Sequence, residues 1–199
     1  MGVKWKTKIN KLPQMTATAE ALGNHKVKVG ALKGEHAWLA GIHEYGCTIV
    51  AKKARYLTVP IHPNSVGKKA REIKGLFFFE AASGEKFLAK GDGDNLIFYY
   101  WLTPSVKIPE RSFLRTGHDE NHDRVLAQTE RALGQVLAGK MSMNEMLDTY
   151  GQQMATAIKN KIIAIKSPAN SSATILAKGE NNPLEDTGGL KDSITWEKE

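Results

Sequence analysis

Residues 142–168 read SMNEMLDTYGQQMATAIKNKIIAIKSP. Ser142 and Glu145 form an S-x-x-E pattern, in which hydroxyl and carboxylate each satisfy a backbone N–H that opens a helix. Met146, Leu147, Tyr150, Met154, Ile158, Ile162 and Ile165 then recur every three or four residues. That is the spacing of one helix face, and Ser167-Pro168 stops it. Upstream, residues 119–138 set Val125, Leu126, Thr129, Leu133, Val136 and Leu137 along a second stripe, and Gly139 ends it. Two amphipathic helices joined by a short break are predicted to fold back on each other and cover a sheet.

The sheet has to come from the first half. HKVKVGAL at 25–32 alternates as a half-exposed strand does. Two short helices are predicted around it, over 14–22 and 35–46. The second, EHAWLAGIHEYG, puts Trp38, Leu39, Ile42 and Tyr45 on one side, with Gly46 as its C-cap. TIVA and RYLTVPI are strand candidates, and Pro60 places the second of these near an edge. After the basic loop NSVGKKAREIKG, two apolar runs flank Ser83-Gly84, Gly91–Asp94 makes a turn, and NLIFYYWLT follows. Residues 76–102 therefore read as a three-stranded aromatic meander. Phe77, Phe79, Phe98, Tyr100 and Trp101 are its candidate interface residues, because aromatics on both faces of a strand need cover on both faces. Val3, Trp5, Thr7 and Ile9 alternate with lysines, so residues 1–12 read as a strand or an extended arm. The fold class is α+β: an antiparallel sheet with a β-meander insertion, covered by two long amphipathic helices, in one domain over residues 1–199.

The 199 residues are 41% hydrophobic and 25% charged, as in an ordinary globular chain. Cys47 is the only cysteine, which excludes an internal disulfide and fits a reducing compartment. No apolar run reaches the roughly 20 residues of a membrane span. The net charge of +7 is unevenly spread. Residues 1–75 carry 14 Lys/Arg against 4 Asp/Glu, and the remainder 14 against 17. Such asymmetry steers a chain toward nucleic acid or an acidic protein surface. Arginine is scarce in the basic half, so bidentate readout of bases is not advertised.

Tests for chemistry leave little standing. Asp186-Thr187-Gly188 matches the aspartic-protease triplet, but Glu185 precedes it and 11 residues follow Gly188. That is too short for the strands of such an active-site loop. A turn reading explains more: Asp186 or Thr187 caps a short helix, Gly188-Gly189 permit close packing, and Leu190 and Ile194 anchor the segment. His43-Glu44 opens like a metalloprotease helix, yet Cys47 stands where the second histidine belongs. His118 and His122 are spaced to share a metal, but read more simply as a polar turn at a helix start. No catalytic residue, cofactor or metal is assigned.

Three stretches gain meaning together: Ile42-His43-Glu44-Tyr45-Gly46, then Ile108-Pro109-Glu110-Arg111-Ser112-Phe113-Leu114, then SPANSSATILAKGENNPLEDTGGLKDSITW at 167–196. In this order they resemble the neck and tail-completion proteins of tailed bacteriophages, also described as head–tail joining or virion morphogenesis proteins. The chain departs at Gly189 and Lys191, where arginines are common, and at Ser112, where proline is frequent. The resemblance implies a non-enzymatic structural protein of the virion, assembled in the host cytoplasm. It implies a six-fold ring at the head–tail junction or tail-tube end, either as a joining layer or as a tail terminator. Its partners would be further copies of itself, the tail-tube protein and connector proteins, with DNA passing through the lumen without sequence-specific contact and no membrane involved. His43, Glu44, Tyr45, Gly46, Pro109, Arg111, Phe113, Asp186, Thr187, Gly188, Leu190 and Ser193 would be motif residues of the scaffold, with Arg111 paired to Glu44. The alternative function is a nucleic-acid-binding module using the basic N-terminal half. Against it, the aromatics of 76–102 lie in a nearly uncharged stretch, with the lysines before it.

Overall fold

The computed structural model describes residues 12–91 and 95–199. Residues 1–11 of the expected arm and 92–94 of the turn thus lie outside the described residues, while Leu12, expected in the arm, begins a helix. In chain order the helices are α1 (Leu12–Gly23), α2 (Glu35–Tyr45), α3 (Leu114–Asp119), α4 (His122–Leu137), α5 (Met143–Ala164), α6 (Ser172–Lys178) and α7 (Gly189–Asp192). The strands are β1 (Val27–Ala31), β2 (Cys47–Val50), β3 (Leu57–Pro60), β4 (Phe77–Glu80), β5 (Lys86–Lys90), β6 (Ile97–Thr103), β7 (Ser105–Ile108) and β8 (Ile194–Lys198). The architecture is α+β.

Helix α5 organises the body. Ser142 Oγ accepts from the Glu145 amide at 3.2 Å, and Glu145 Oε2 accepts from the Ser142 amide at 2.8 Å, so the capping box is formed. Met146, Met154, Ile158 and Ile162 are buried along the inner face. Helix α4 packs against α5 through Val125, while Leu126 stays exposed. The sheet beneath α5 is the antiparallel pair β1–β8, in register Val29↔Trp196 and Ala31↔Ile194. Phe113, Leu184, Leu190 and Ile194 complete the core.

Strand β8 is not among the strands expected from the sequence, because ITWEK shows little alternation beyond Ile194 and Trp196. What places it is α5. A Cβ added to Gly151 would lie 2.4 Å from Trp196 Cδ1, so this glycine lets the indole lie directly on the helix backbone. The indole nitrogen then donates to Asp148 Oδ1 at 3.3 Å.

The meander is present as β4–β5–β6, and β3 joins it at the far edge in the order β3-β6-β5-β4. Pro60 sits on that edge strand, where a missing donor costs nothing. A separate pair, β2–β7, runs from Cys47↔Ile108 to Val50↔Ser105 and links this sheet to the body.

Gly151→Ala tests the close approach of Trp196. Alanine is the better helix former by about 1 kcal/mol, so a solvent-exposed site would gain stability. Here the overpacked indole should reverse the sign and cost about 1–3 kcal/mol in chemical denaturation.

Candidate functional site

The three motifs converge on helix α2. Its last turn carries His43, Glu44 and Tyr45, and Gly46 ends it at φ 66°. A Cβ on Gly46 would lie 2.8 Å from the Glu110 nitrogen and 2.9 Å from the Ile108 oxygen. Only glycine lets segment 108–110 cross so close to the helix end. Pro109 carries the chain from β7 toward α3, and the Arg111 amide then donates to the His43 carbonyl at 2.7 Å, satisfying a free carbonyl of α2.

Glu44 is 1% exposed, and a buried carboxylate needs donors. It receives Ser112 Oγ at 2.7 Å, the Leu114 amide at 2.8 Å, and the Arg115 amide and Nε at 3.1 and 2.9 Å. Leu114 and Arg115 open α3, whose own N-cap, Phe113, has no capping side chain. Glu44 thus caps α3 from a different helix, with its charge at the positive end. Burial alone would raise its carboxyl. The hydrogen bonds from Arg115, Ser112 and the two amides outweigh burial and hold it below the ordinary 4.5. Arg115 also reaches Glu110 at 2.6 Å and lies over the Tyr45 ring, 5.0 Å from its centroid.

The pairing of Arg111 with Glu44 is therefore overturned. Arg111, buried at 5% exposure, turns the other way. Its guanidinium donates to the Pro168 and Ala169 carbonyls at 2.7 and 3.0 Å and faces Asn170 Oδ1 at 3.5 Å. Those carbonyls follow the end of α5, where backbone acceptors are left over, so Arg111 ties the second motif to the third. Arg115, four residues on and aligned with the start of α3, takes the carboxylate. The sequence signal for it was the Glu110–Arg115 spacing beside Ser112, which the motif pattern passed over.

The third motif closes the site. Thr187 Oγ1 accepts from the Gly189 amide at 3.4 Å, and Gly188 precedes the short α7 with φ 83°. Gly189 lies against the His36 ring of α2, where a Cβ would come within 2.8 Å. Leu190 is buried, and Ser193 Oγ returns a hydrogen bond to its carbonyl at 2.7 Å. The N-cap of α7 is Gly188, without a side-chain cap, so neither Asp186 nor Thr187 caps the helix as expected; Asp186 stays exposed beside a cleft shared with His43, Lys178 and Pro183. His43 is held below its ordinary value by burial first, then by Arg111 and Lys178, so its ring is neutral.

Two expectations for exposed residues change. Trp38 and Tyr45 are 69% and 68% exposed, and α2 buries Ala40 and Glu44 instead. Its neighbours there are α7, β1 and the start of α3, which leave room for a small side chain and require an anion. In the meander, Phe77 is exposed and Phe79, Phe98 and Trp101 are half-buried, whereas Tyr100 is 2% exposed. The Tyr100 hydroxyl donates to the Lys68 carbonyl at 2.9 Å, and burial, then Glu72, push its phenol up. It is a core residue of the sheet, and Phe78 takes its place at the surface with 53% exposure. The His118 and His122 rings are 5.1 Å apart across the α3–α4 break. Among the described residues no group of three or more His, Cys, Asp or Glu is placed to hold a metal.

The fold and site define an α+β chain whose motif residues act as structural ties between helix ends, beside a separate sheet bearing aromatic surface. Comparison with protein-family models, curated proteins and solved structures returns no match.

Glu44→Ala should lower stability by about 3–5 kcal/mol, since it strands buried donors and an arginine. Arg115→Ala should cost about 1–2 kcal/mol, because three donors to Glu44 remain. Denaturation of single and double variants should show coupling between Glu44 and Arg115, and additivity within about 0.5 kcal/mol between Glu44 and Arg111.

A second expectation concerns pH. The folded-state value of Glu44 is the depressed one, so its stabilisation is complete above the ordinary 4.5 and lost as pH falls through the lower value. The stability gap between wild type and Glu44→Gln, measured by denaturation at successive pH values, should shrink on acidification and be constant above neutrality.

Proposed function

We propose that this chain is a non-enzymatic structural protein of a tailed-phage virion, closing a six-fold homo-oligomeric ring at the head–tail junction or tail-tube end. The observation that carries the reading is the convergence of the three motifs. The stretches whose order resembles the neck and tail-completion proteins meet at one junction, where each residue makes a tie between elements. Glu44 caps α3, Arg111 holds the end of α5, and Thr187 and Gly189 seat α7 against α2.

Such a ring needs a rigid, partly apolar surface on each subunit, and the four-stranded sheet supplies one. Phe98 contacts both Phe79 and Phe87, with ring centroids 5.4 and 4.9 Å away, and Phe77, Phe78 and Ile97 are exposed on β4 and β6. Ladder hydrogen bonds fix these side chains before assembly, so little ordering entropy is lost on docking. Strand β4 is an edge whose exposed phenylalanines carry no proline or lysine to blunt it. Heterologous contacts of this kind close a ring when the rotation between copies allows it. The tail-tube and connector proteins are the further partners of this reading.

Removing the protein from the particle that encodes it should leave unjoined heads and tails in negative-stain images, and normal infectious particles would overturn the reading. On the purified protein, light scattering should show an oligomer that Phe77→Ser with Phe78→Ser reduces to monomers of unchanged helicity.

A further inference from the structure

The basic half of the chain is not merely a charged surface. Folding gathers three lysines beside one aromatic ring. Lys68, Lys74 and Lys90 wall a groove of about 500 Å³, with Tyr99 and Asn64 also lining it. Lys69 and Arg71 stand exposed on the same short turn. Lys90 comes from β5, well after the lysine-rich loop, so the grouping exists only in three dimensions.

The groove is built rather than loose. Ser65, fully buried, donates to the carbonyls of His62 and Tyr99 at 2.6 and 2.9 Å. The Tyr100 hydroxyl holds the Lys68 carbonyl, and Tyr99 stacks on His62 with centroids 4.6 Å apart. The backbone bearing the lysines is thereby clamped to β6.

The lysines of the groove are also left out of ion pairs, unlike Lys28 with Glu199, Lys86 with Glu80, Lys161 with Glu120 and Lys198 with Asp148. Among the described residues, none of Lys68, Lys74 and Lys90 is in an ion pair. Glu72 also lines the groove, its Oε2 accepting from the Lys69 amide at 3.1 Å, so three lysines face one carboxylate and the lining keeps a positive excess. A cluster of lysines outside ion pairs, on a braced backbone beside a flat ring, fits a regularly spaced polyanion. It provides point charges without the bidentate forks that read bases.

We propose that this groove binds the phosphodiester backbone of a nucleic acid without reading its sequence. The site does not depend on ring formation, and it would serve a monomer equally.

The test is fluorescence anisotropy with labelled single-stranded and duplex oligonucleotides of mixed sequence. Binding should be independent of sequence. It should weaken about 20- to 40-fold between about 50 and about 200 mM salt, as displacement of counterions from about three phosphates requires. The triple variant Lys68→Glu, Lys74→Glu, Lys90→Glu should lose it, and the milder triple change to Gln should weaken it with the fold intact by circular dichroism. A triple variant of equal net charge, Lys26→Glu, Lys107→Glu, Lys140→Glu, should keep it. No binding at low salt, equal loss in the two charge-reversed triples, or competition by poly-glutamate as effective as by oligonucleotide would overturn the proposal. Light scattering on the same samples reports the oligomer separately, so failure here and failure of the ring reading are distinguishable.

Discussion

A carboxylate out of water must be surrounded by donors, and Glu44 finds them at the start of a helix in another part of the chain. That requirement fixes more than one contact. It sets α2 against α3 at one angle and holds Ser112 and Arg115 at the junction. Phe113 lies between residues that bind Glu44, so the same constraint delivers it to the core at 0% exposure. From Phe113 the packing runs on through Ile158 and Met154 of α5 to the β1–β8 pair. Were the side chain absent, the first amides of α3 would be buried without acceptors, at a cost comparable to lost hydrogen bonds.

The remaining ties follow the same logic of unpaired backbone groups. Helix ends leave carbonyls and amides over, and this chain meets them with side chains from distant motifs. Arg111 covers the carbonyls beyond α5, its own amide covers one at the end of α2, and Thr187 accepts at the start of α7. Glu44 and Thr187, which sit in fragments of catalytic signatures, make such ties with their side chains. His43 is held below its ordinary value by burial, Arg111 and Lys178, and Asp186 stands exposed. The four-stranded sheet takes little part in this network. It is attached through β2–β7 and clamped by Ser65 and Tyr100, which leaves it free to present two surfaces: an aromatic one on β4 and a cationic one around Tyr99.

Much of the fold was legible because local rules agreed with the final packing. The capping box at Ser142, the apolar run to Ile165 and the Ser83-Gly84 turn describe structure formed by neighbours in sequence, and each lies where it was expected. Residues whose role depends on a distant partner were misread. Trp38 and Tyr45 had helical spacing, yet the facing elements admit Ala40 and Glu44. Tyr100 was indistinguishable from Trp101 by composition, and only the turn at Pro63–Ser65 folding over β6 makes one buried and the other half-exposed. Strand β8 was silent because its pairing energy comes from β1 and its seat from Gly151.

The amino-acid order alone determined where helices begin and stop, which runs extend, and that no disulfide crosses the chain, since these follow from caps, periodicity and residue chemistry within a few positions. Tertiary structure alone decided that Arg115, not Arg111, answers Glu44, and that Lys90 joins Lys68 and Lys74 around Tyr99. Both are matters of which side chains meet in space, and separation along the chain carries no information about that distance until the core has closed.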